Sequence, residues 1–322
     1  MRVQALHRRL SGASAIGSRE TRRPDEHRMT ASEILGQLLS GVSRGMVLFL
    51  IASGLTLTFS VMNILNFAHA AFWLVGAYVT WTIWHLLLLP ATGFWIALPA
   101  AALVMGAIGW IVEFVLIRRV YDRPHTEQLL LTYALVLVIG DLIKLTWGVD
   151  DRIVGRPELL RGYVELLGAP LPLYSIFVIA LGCFIAAALW WMLHRTRFGR
   201  IVRAAVYSRE MVSALGLPIR RIYAGVLAIS LFIAGLAGGV QSPISSITLG
   251  MDMNVIIEVF CIMVIGGLGS LAGAFVGSLI VGVTYSFAIL VFPKMALVLI
   301  FLVTALVLIV RPWGLFGTPM RV

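Results

Sequence analysis

Nine apolar stretches, separated by short polar intervals, run along the chain at roughly residues 34–61, 66–89, 93–117, 127–147, 173–194, 222–242, 254–268, 272–292 and 295–310. Most are close to the 20 or so residues with which a helix crosses a bilayer. The pattern predicts an all-α, polytopic integral membrane protein of about eight or nine membrane segments. It forms one membrane domain over 29–317, with a short tail at 318–322. No interval is long enough for a separate soluble domain, so the chemistry must reside in helices and short loops.

The polar intervals differ in charge. Residues 118–126 hold Arg118, Arg119 and Arg123, and residues 195–221 hold seven arginines against one acid, Glu210. Excess arginine places both on the cytoplasmic side. The interval 148–172, with Asp150, Asp151, Glu158 and Glu165 against three arginines, then falls outside. Downstream, four crossings return Arg311 to the cytoplasm. Upstream, three full crossings before Arg118 would put the basic N-terminus outside, so the preferred reading is that part of 34–89 enters the membrane without crossing it. The stretch 56–70 suits such a broken or re-entrant element, being polar for a lipid-facing helix yet free of acids, lysine and arginine.

Composition narrows the function. Hydrophobic residues make up 60% of the chain, charged residues 12%, and mean hydropathy is +0.97, far from a soluble domain. The net charge of +10 fits basic cytoplasmic loops and anionic membrane lipid, so nucleic acid is not an expected partner. Residues 1–28 are basic, lack the apolar core of a secretion signal, and read as an extension ahead of a natural start at Met29. Cys183 and Cys261 have no metal-site spacing and read as small apolar residues.

Absent motifs matter as much. Lys144 is followed by leucine and Lys294 by methionine, so neither completes a P-loop; any ATP hydrolysis belongs to a partner chain. No HExxH or GxSxG occurs, and neither a catalytic residue, a metal nor a cofactor is expected.

Polar groups in apolar runs are the candidate chemistry. Asn63, Asn66 and His69 recur every third residue, which suits equally an interhelical hydrogen-bond cluster and a substrate path. His69 could also carry a proton. Asp141 and Lys144 can pair within a helix, and Glu113 can pair with Arg118 or Arg119. Glu258 has no obvious local partner. Gly269, Gly273 and Gly277 stand four apart, a spacing that brings helix backbones close, within the chain or at a dimer seam.

Five segments, in order, resemble the branched-chain amino-acid ABC transporter permeases of the LivH/LivM type: Asn66-Phe67-Ala68-His69 with Gly76-Ala77-Tyr78; Glu113 with Arg123-Pro124; Phe198-Gly199-Arg200 through Leu215-Gly216-Leu217; Gly266-Gly267-Leu268-Gly269 through Ala274; and Arg311-Pro312-Trp313-Gly314 through Gly317. Ala70-Ala71 stands where that family usually has Gly-Glu, which leaves the solute broad: branched-chain amino acids or related small polar or carboxylate solutes. The resemblance implies a bacterial inner-membrane permease that imports by alternating access. Its partners would be cytoplasmic ATPase subunits, a second permease subunit, identical or homologous, and a periplasmic solute-binding protein.

Under that resemblance 195–221 becomes a coupling loop whose short amphipathic helix, Arg200 to Leu215, seats in the ATPase. Ile201, Ala205, Val212 and Leu215 would form its apolar stripe, with Arg200, Arg203 and Arg209 left for acidic groups or the membrane surface, and with Ser208, Glu210 and Gly216 as further contact positions. The rival readings are an ion-coupled secondary carrier using His69, Glu258 or the Asp141/Lys144 pair, and a membrane-embedded enzyme.

Overall fold

The computed structural model describes residues 31–87, 92–166 and 169–317. The extension 1–28, the start at Met29 and the tail 318–322 lie outside the described residues. The described residues form eleven α-helices: α1 Ala31–Met62, α2 Ala68–Leu87, α3 Gly93–Val115, α4 His125–Trp147, α5 Leu173–Arg195, α6 Arg197–Tyr207, α7 Arg209–Ala214, α8 Ile219–Gln241, α9 Met251–Gly266, α10 Leu271–Val291 and α11 Ala296–Val310. Eight helical segments among the described residues are long and apolar enough to span a membrane, so the protein is an all-α, multi-pass membrane protein. The apolar run at 254–268, the one of the nine not among these eight, forms α9, of 16 residues. At 1.5 Å per residue it is about 24 Å long, short of a bilayer core unless its neighbours enclose it.

The bundle is built around α1 and α8. α3 and α2 pack on α8, while α10 packs along α1. Around them, α4, α5 and α11 present Leu130, Leu145, Phe184 and Ile309 outward, as apolar side chains do toward lipid. Between α4 and α5 the chain forms an antiparallel hairpin, β1 Tyr163–Leu166 with β2 Ala169–Pro172, pairing Tyr163 with Pro172 and Val164 with Leu171. Sequence patterning treats this stretch as loop, because four-residue strands containing two prolines carry no strand signal. The face with the hairpin and the face with the basic loops are the two ends of the bundle.

α1 settles the crossing count. It packs on β2 as well as on α6, and Ser286, near the far end of α10, donates to the Gln37 carbonyl. At 32 residues, about 48 Å, it reaches from the hairpin face to the basic face. The preferred expectation that part of 34–89 fails to cross is therefore corrected for α1, which begins on the hairpin face. The expected break does occur, directly after it. Asn63 takes φ 54°, in the left-handed region that asparagine tolerates, and the chain turns back. α2 begins beside the middle of α1, where His69 Nε2 lies 3.0 Å from the Ile51 carbonyl. It ends near the hairpin face, where Thr82 accepts from Trp147 Nε1.

Backbone contacts at glycines close the bundle. A Cβ at Gly273 would stand 2.1 Å from the Gly266 carbonyl oxygen, and one at Gly277 would stand 2.8 Å from that of Ile262. These two glycines serve packing of α10 on α9 within the chain. Gly269 does not share that face. It lies in the turn before α10 with φ +85°, and its carbonyl accepts from Ser60. The four-residue spacing is interrupted because the helix starts only at Leu271, capped by Ser270, whose hydroxyl accepts from the Gly273 amide.

Candidate functional site

On the basic face, the expected single helix from Arg200 to Leu215 is two. Ser208 leaves helical geometry at φ −158°, and its side chain accepts from the Met211 amide, so it ends α6 and caps α7. α7 closes in a Schellman turn: Leu217 N bonds to Val212 O, Gly216 N bonds to Ser213 O, and Gly216 takes φ +77°. Gly199 permits the turn from α5, since a Cβ there would sit 2.2 Å from the Met192 carbonyl.

The buried face of this pair is Gly199, Val202, Ala205 and Val212, with Ile201 partly covered. Leu215 does not join it. Leu215 is 72% exposed, and Tyr207, Met211 and Val206 are exposed too. The offset arises because the break at Ser208 resets the helical phase, so a stripe drawn through a continuous helix fails beyond it. Arg203 is also not free for a partner's acids: its Nη1 lies 2.6 Å from the Leu193 carbonyl, holding α6 to the end of α5. Arg200 and Glu210 are exposed.

A connection invisible in the sequence joins this pair to the bundle through residues 117–124. Arg209 in α7 pairs with Asp122 at 2.5 Å. Next to Asp122, Tyr121 donates to the fully buried Glu113 of α3, which Arg118 also holds at 2.9 Å. The Tyr121 ring meets that of Tyr223 in α8 edge-on. Burial, and then the hydrogen bond to Glu113, push the Tyr121 phenol well above its ordinary range, so it remains a donor. Glu113 does pair with Arg118. The Asp122 contact, 87 positions from Arg209, had no local signal.

The three polar residues around the break are not gathered into one site. Asn63 is exposed. Asn66 is buried and caps α2, its Oδ1 accepting from the Ala68 amide at 3.1 Å. His69 is fully buried against α1; because a carbonyl can only accept, its Nε2 carries the proton. The cap predicts that Asn66→Ala lowers stability by about 1 kcal/mol while Asn66→Ser nearly preserves it. Thermal unfolding of the purified protein would show the ranking, and equal melting of both variants would contradict it.

Two cavities flank α1. One, of about 760 Å³, opens by the basic face between α1, α5, α6 and α10, with Thr56, Ser60, Trp190, Arg203 and Tyr207 in its wall. The other, of about 410 Å³, holds Arg44 and Glu258 among its lining. Neither is lined by Asn63, Asn66 or His69. Arg44 supplies the partner that Glu258 lacked locally: Nη2 reaches both carboxylate oxygens at 2.8 and 2.9 Å. Asp141 and Lys144 pair at 2.9 Å on the exterior of α4. Among the described residues, no group of three or more histidine, cysteine or carboxylate side chains could hold a metal.

The sequence model of a family described as the permease component of the branched-chain amino acid transport system matches residues 37–308. The high-affinity branched-chain amino acid transport system permease protein LivH of Escherichia coli (strain K12) is 28% identical over 304 residues, covering 88% of this chain and 96% of that protein. BraD of Pseudomonas aeruginosa, a permease protein of the same description, is 26% identical over 305 residues, with coverage of 88% and 96%. A probable branched-chain amino acid transport permease protein LivH of Methanocaldococcus jannaschii is 28% identical over 292 residues, covering 84% of this chain and 89% of its own. No solved structure matches the chain.

Proposed function

Because this chain belongs to the branched-chain amino acid transport system permease family, we propose that it is the membrane subunit of an ABC importer in a bacterial inner membrane. It would carry branched-chain amino acids or related small solutes inward. A second permease chain, two cytoplasmic ATPases and a periplasmic solute-binding protein would complete the assembly.

The observation that carries the coupling is the α6–α7 pair. Val206, Tyr207, Met211 and Leu215 stand exposed on it, with Arg200 exposed beside them, while its opposite side is anchored to the bundle by Gly199, Val202, Ala205 and Val212. Such an element offers a partner an apolar surface without loosening the spans. The 117–124 segment then transmits its displacement to α3 through Tyr121 and Glu113. The break at 63–67 is the second part of the reading: Asn66 and His69 brace a hinge between α1 and α2, and the solute passes elsewhere.

The test is ATP-driven uptake of labelled leucine by vesicles holding the full assembly. Uptake that needs ATP hydrolysis and the binding protein supports the reading; uptake that follows a proton gradient without any ATPase refutes it. The transmission step has its own test. Arg209 and Asp122 are both exposed enough that the pair contributes only about 0–1 kcal/mol to folding, so breaking it leaves the amount of permease in the membrane unchanged. Arg209→Asp should nevertheless lower ATP-driven uptake several-fold, and adding Asp122→Arg should recover it. Wild-type uptake by the single variant would remove this pair from the coupling route.

A further inference from the structure

We infer that the larger cavity, a groove between α5 and α10 with α1 as its floor, holds an acyl chain of an anionic phospholipid whose phosphate is received by Arg203. The inference needs only the membrane-spanning fold and is independent of the solute carried. α5 and α10 each pack on α1, and the groove between them is lined by α1 residues from Phe49 to Val61. That is about 18 Å of helix, close to the ~15 Å half-thickness of a bilayer's hydrocarbon core. α6, which packs on both α5 and α1, closes the end at the basic face.

The wall decides what can occupy the groove. Phe49, Leu57, Val61, Leu271, Phe275 and Val276 line its length. The Ser60 hydroxyl, also in the wall, is already bonded to the carbonyls of Thr56 and Gly269. Water filling a space of about 760 Å³ would need about two to four polar partners per molecule, which such a wall does not supply. Left empty, the groove would forfeit dispersion contacts along its lining. An acyl chain restores them.

The basic end selects the head. Arg203 and His194 stand in the wall there, and among the described residues no acidic side chain lines the groove. The bond from Arg203 Nη1 to the Leu193 carbonyl withdraws the residue from a partner protein but fixes its guanidinium at the wall. Its Nε and Nη2 groups have no protein partner among the described residues, and a phosphate accepts from such a fork through two oxygens. His194 Nδ1 lies 2.9 Å from the Trp190 carbonyl and therefore carries the proton, which leaves Nε2 for a headgroup hydroxyl. The Trp190 ring stacks on His194 and is 53% exposed, as suits a tryptophan at headgroup level. A zwitterionic solute would bring an amine that no acid meets. Phosphatidylglycerol, with a phosphate, a glycerol hydroxyl and two acyl chains, satisfies every part of the groove.

Native mass spectrometry of the delipidated permease in detergent, with phosphatidylglycerol or phosphatidylcholine added, tests the assignment. Phosphatidylglycerol should be retained at least tenfold more tightly. Ala187 and Ala272, on α5 and α10, are exposed positions of the lining, so Ala187→Trp/Ala272→Trp fills the groove while sparing the core. That pair should lower phosphatidylglycerol binding at least tenfold, whereas Leu145→Trp, at an 83% exposed position of α4, should leave it unchanged. Arg203→Met should bring the two lipids to equal retention, and the tryptophan pair decides the matter if that variant does not fold. Equal retention of the two lipids by the unaltered protein, or full phosphatidylglycerol binding in the tryptophan pair, overturns the proposal. Displacement of the lipid by glycerol 3-phosphate would reveal a headgroup site without the groove, and displacement by leucine would reveal a solute path. Loss of a dimeric mass in the tryptophan pair with lipid binding retained would make the groove a seam between copies of the chain. Each of these three results also overturns it.

Discussion

Gly273→Leu is expected to eliminate folded permease from the membrane, where Gly140→Leu leaves it at wild-type level. The two substitutions add the same side chain to helices of similar apolarity. A Cβ at Gly140 would meet nothing within 4 Å, while one at Gly273 would lie 2.1 Å from the Gly266 oxygen and 2.6 Å from its carbonyl carbon. Overpacking a core of side chains costs about 1–3 kcal/mol because side chains can yield; here the obstacle is backbone and cannot change rotamer. α9 would have to move away from α10, which would also pull Glu258 from Arg44. The amount extracted as a monodisperse species, compared between the two variants, measures the effect. Comparable yields would mean that the α9–α10 crossing is not required for folding.

The second large effect concerns the α6–α7 pair. Tyr207→Asp combined with Met211→Asp should reduce co-purification of the ATPase at least tenfold and abolish ATP-driven uptake, with the yield of permease unaffected. Tyr207 is 92% exposed and Met211 66%, so neither side chain supports the bundle, and surface substitutions away from structural features alter stability by less than about 0.5 kcal/mol. Buried aromatic and apolar anchors at an interface are each worth more than about 1 kcal/mol when lost. Arg203→Glu is a poorer test, since it also breaks the tie to the Leu193 carbonyl and would disturb α5 whether or not a partner docks. Retained co-purification of the doubly charged variant would move the ATPase contact elsewhere.

Much of the architecture could be read from the chain because lipid imposes a strong pattern. The apolar run 173–194 became α5 Leu173–Arg195, and 272–292 became α10 Leu271–Val291; each boundary falls where charged, proline or turn-forming residues begin. The pairings of Glu113 with Arg118 and of Asp141 with Lys144 were legible for the same reason, being within a turn or so of helix. What periodicity could not carry was contact between distant positions. Arg44 and Glu258 are 214 residues apart, and nothing near either announces the other. Gly41 and Gly45, which meet the backbone of α10 at Val283 and Ser278, did carry the small-residue spacing and were passed over beside the denser run at 266–277. In the coupling segment, the Ser208 cap outcompeted continued helix, so face assignments drawn across it were shifted. The direction of α1 was missed because arginine counting weighed loops, whereas α1 is placed by its packing on β2 and α6.

One junction bears on how the protein is made. α9 ends with the carbonyls of Ile265 and Gly266 open, as helix termini do, and they are filled by the amides of Leu315 and Phe316. Gly314 and Gly317 let that returning strand lie against Gly267 and Trp313. Those amides are synthesised about fifty residues after the carbonyls they satisfy. A nascent chain that has already inserted α9 and α10 therefore holds an unfinished end within the bundle until residues 315 and 316 have joined it. Chains released from the ribosome after residue 310 should stay bound to insertion chaperones, whereas chains released after residue 317 should let them go.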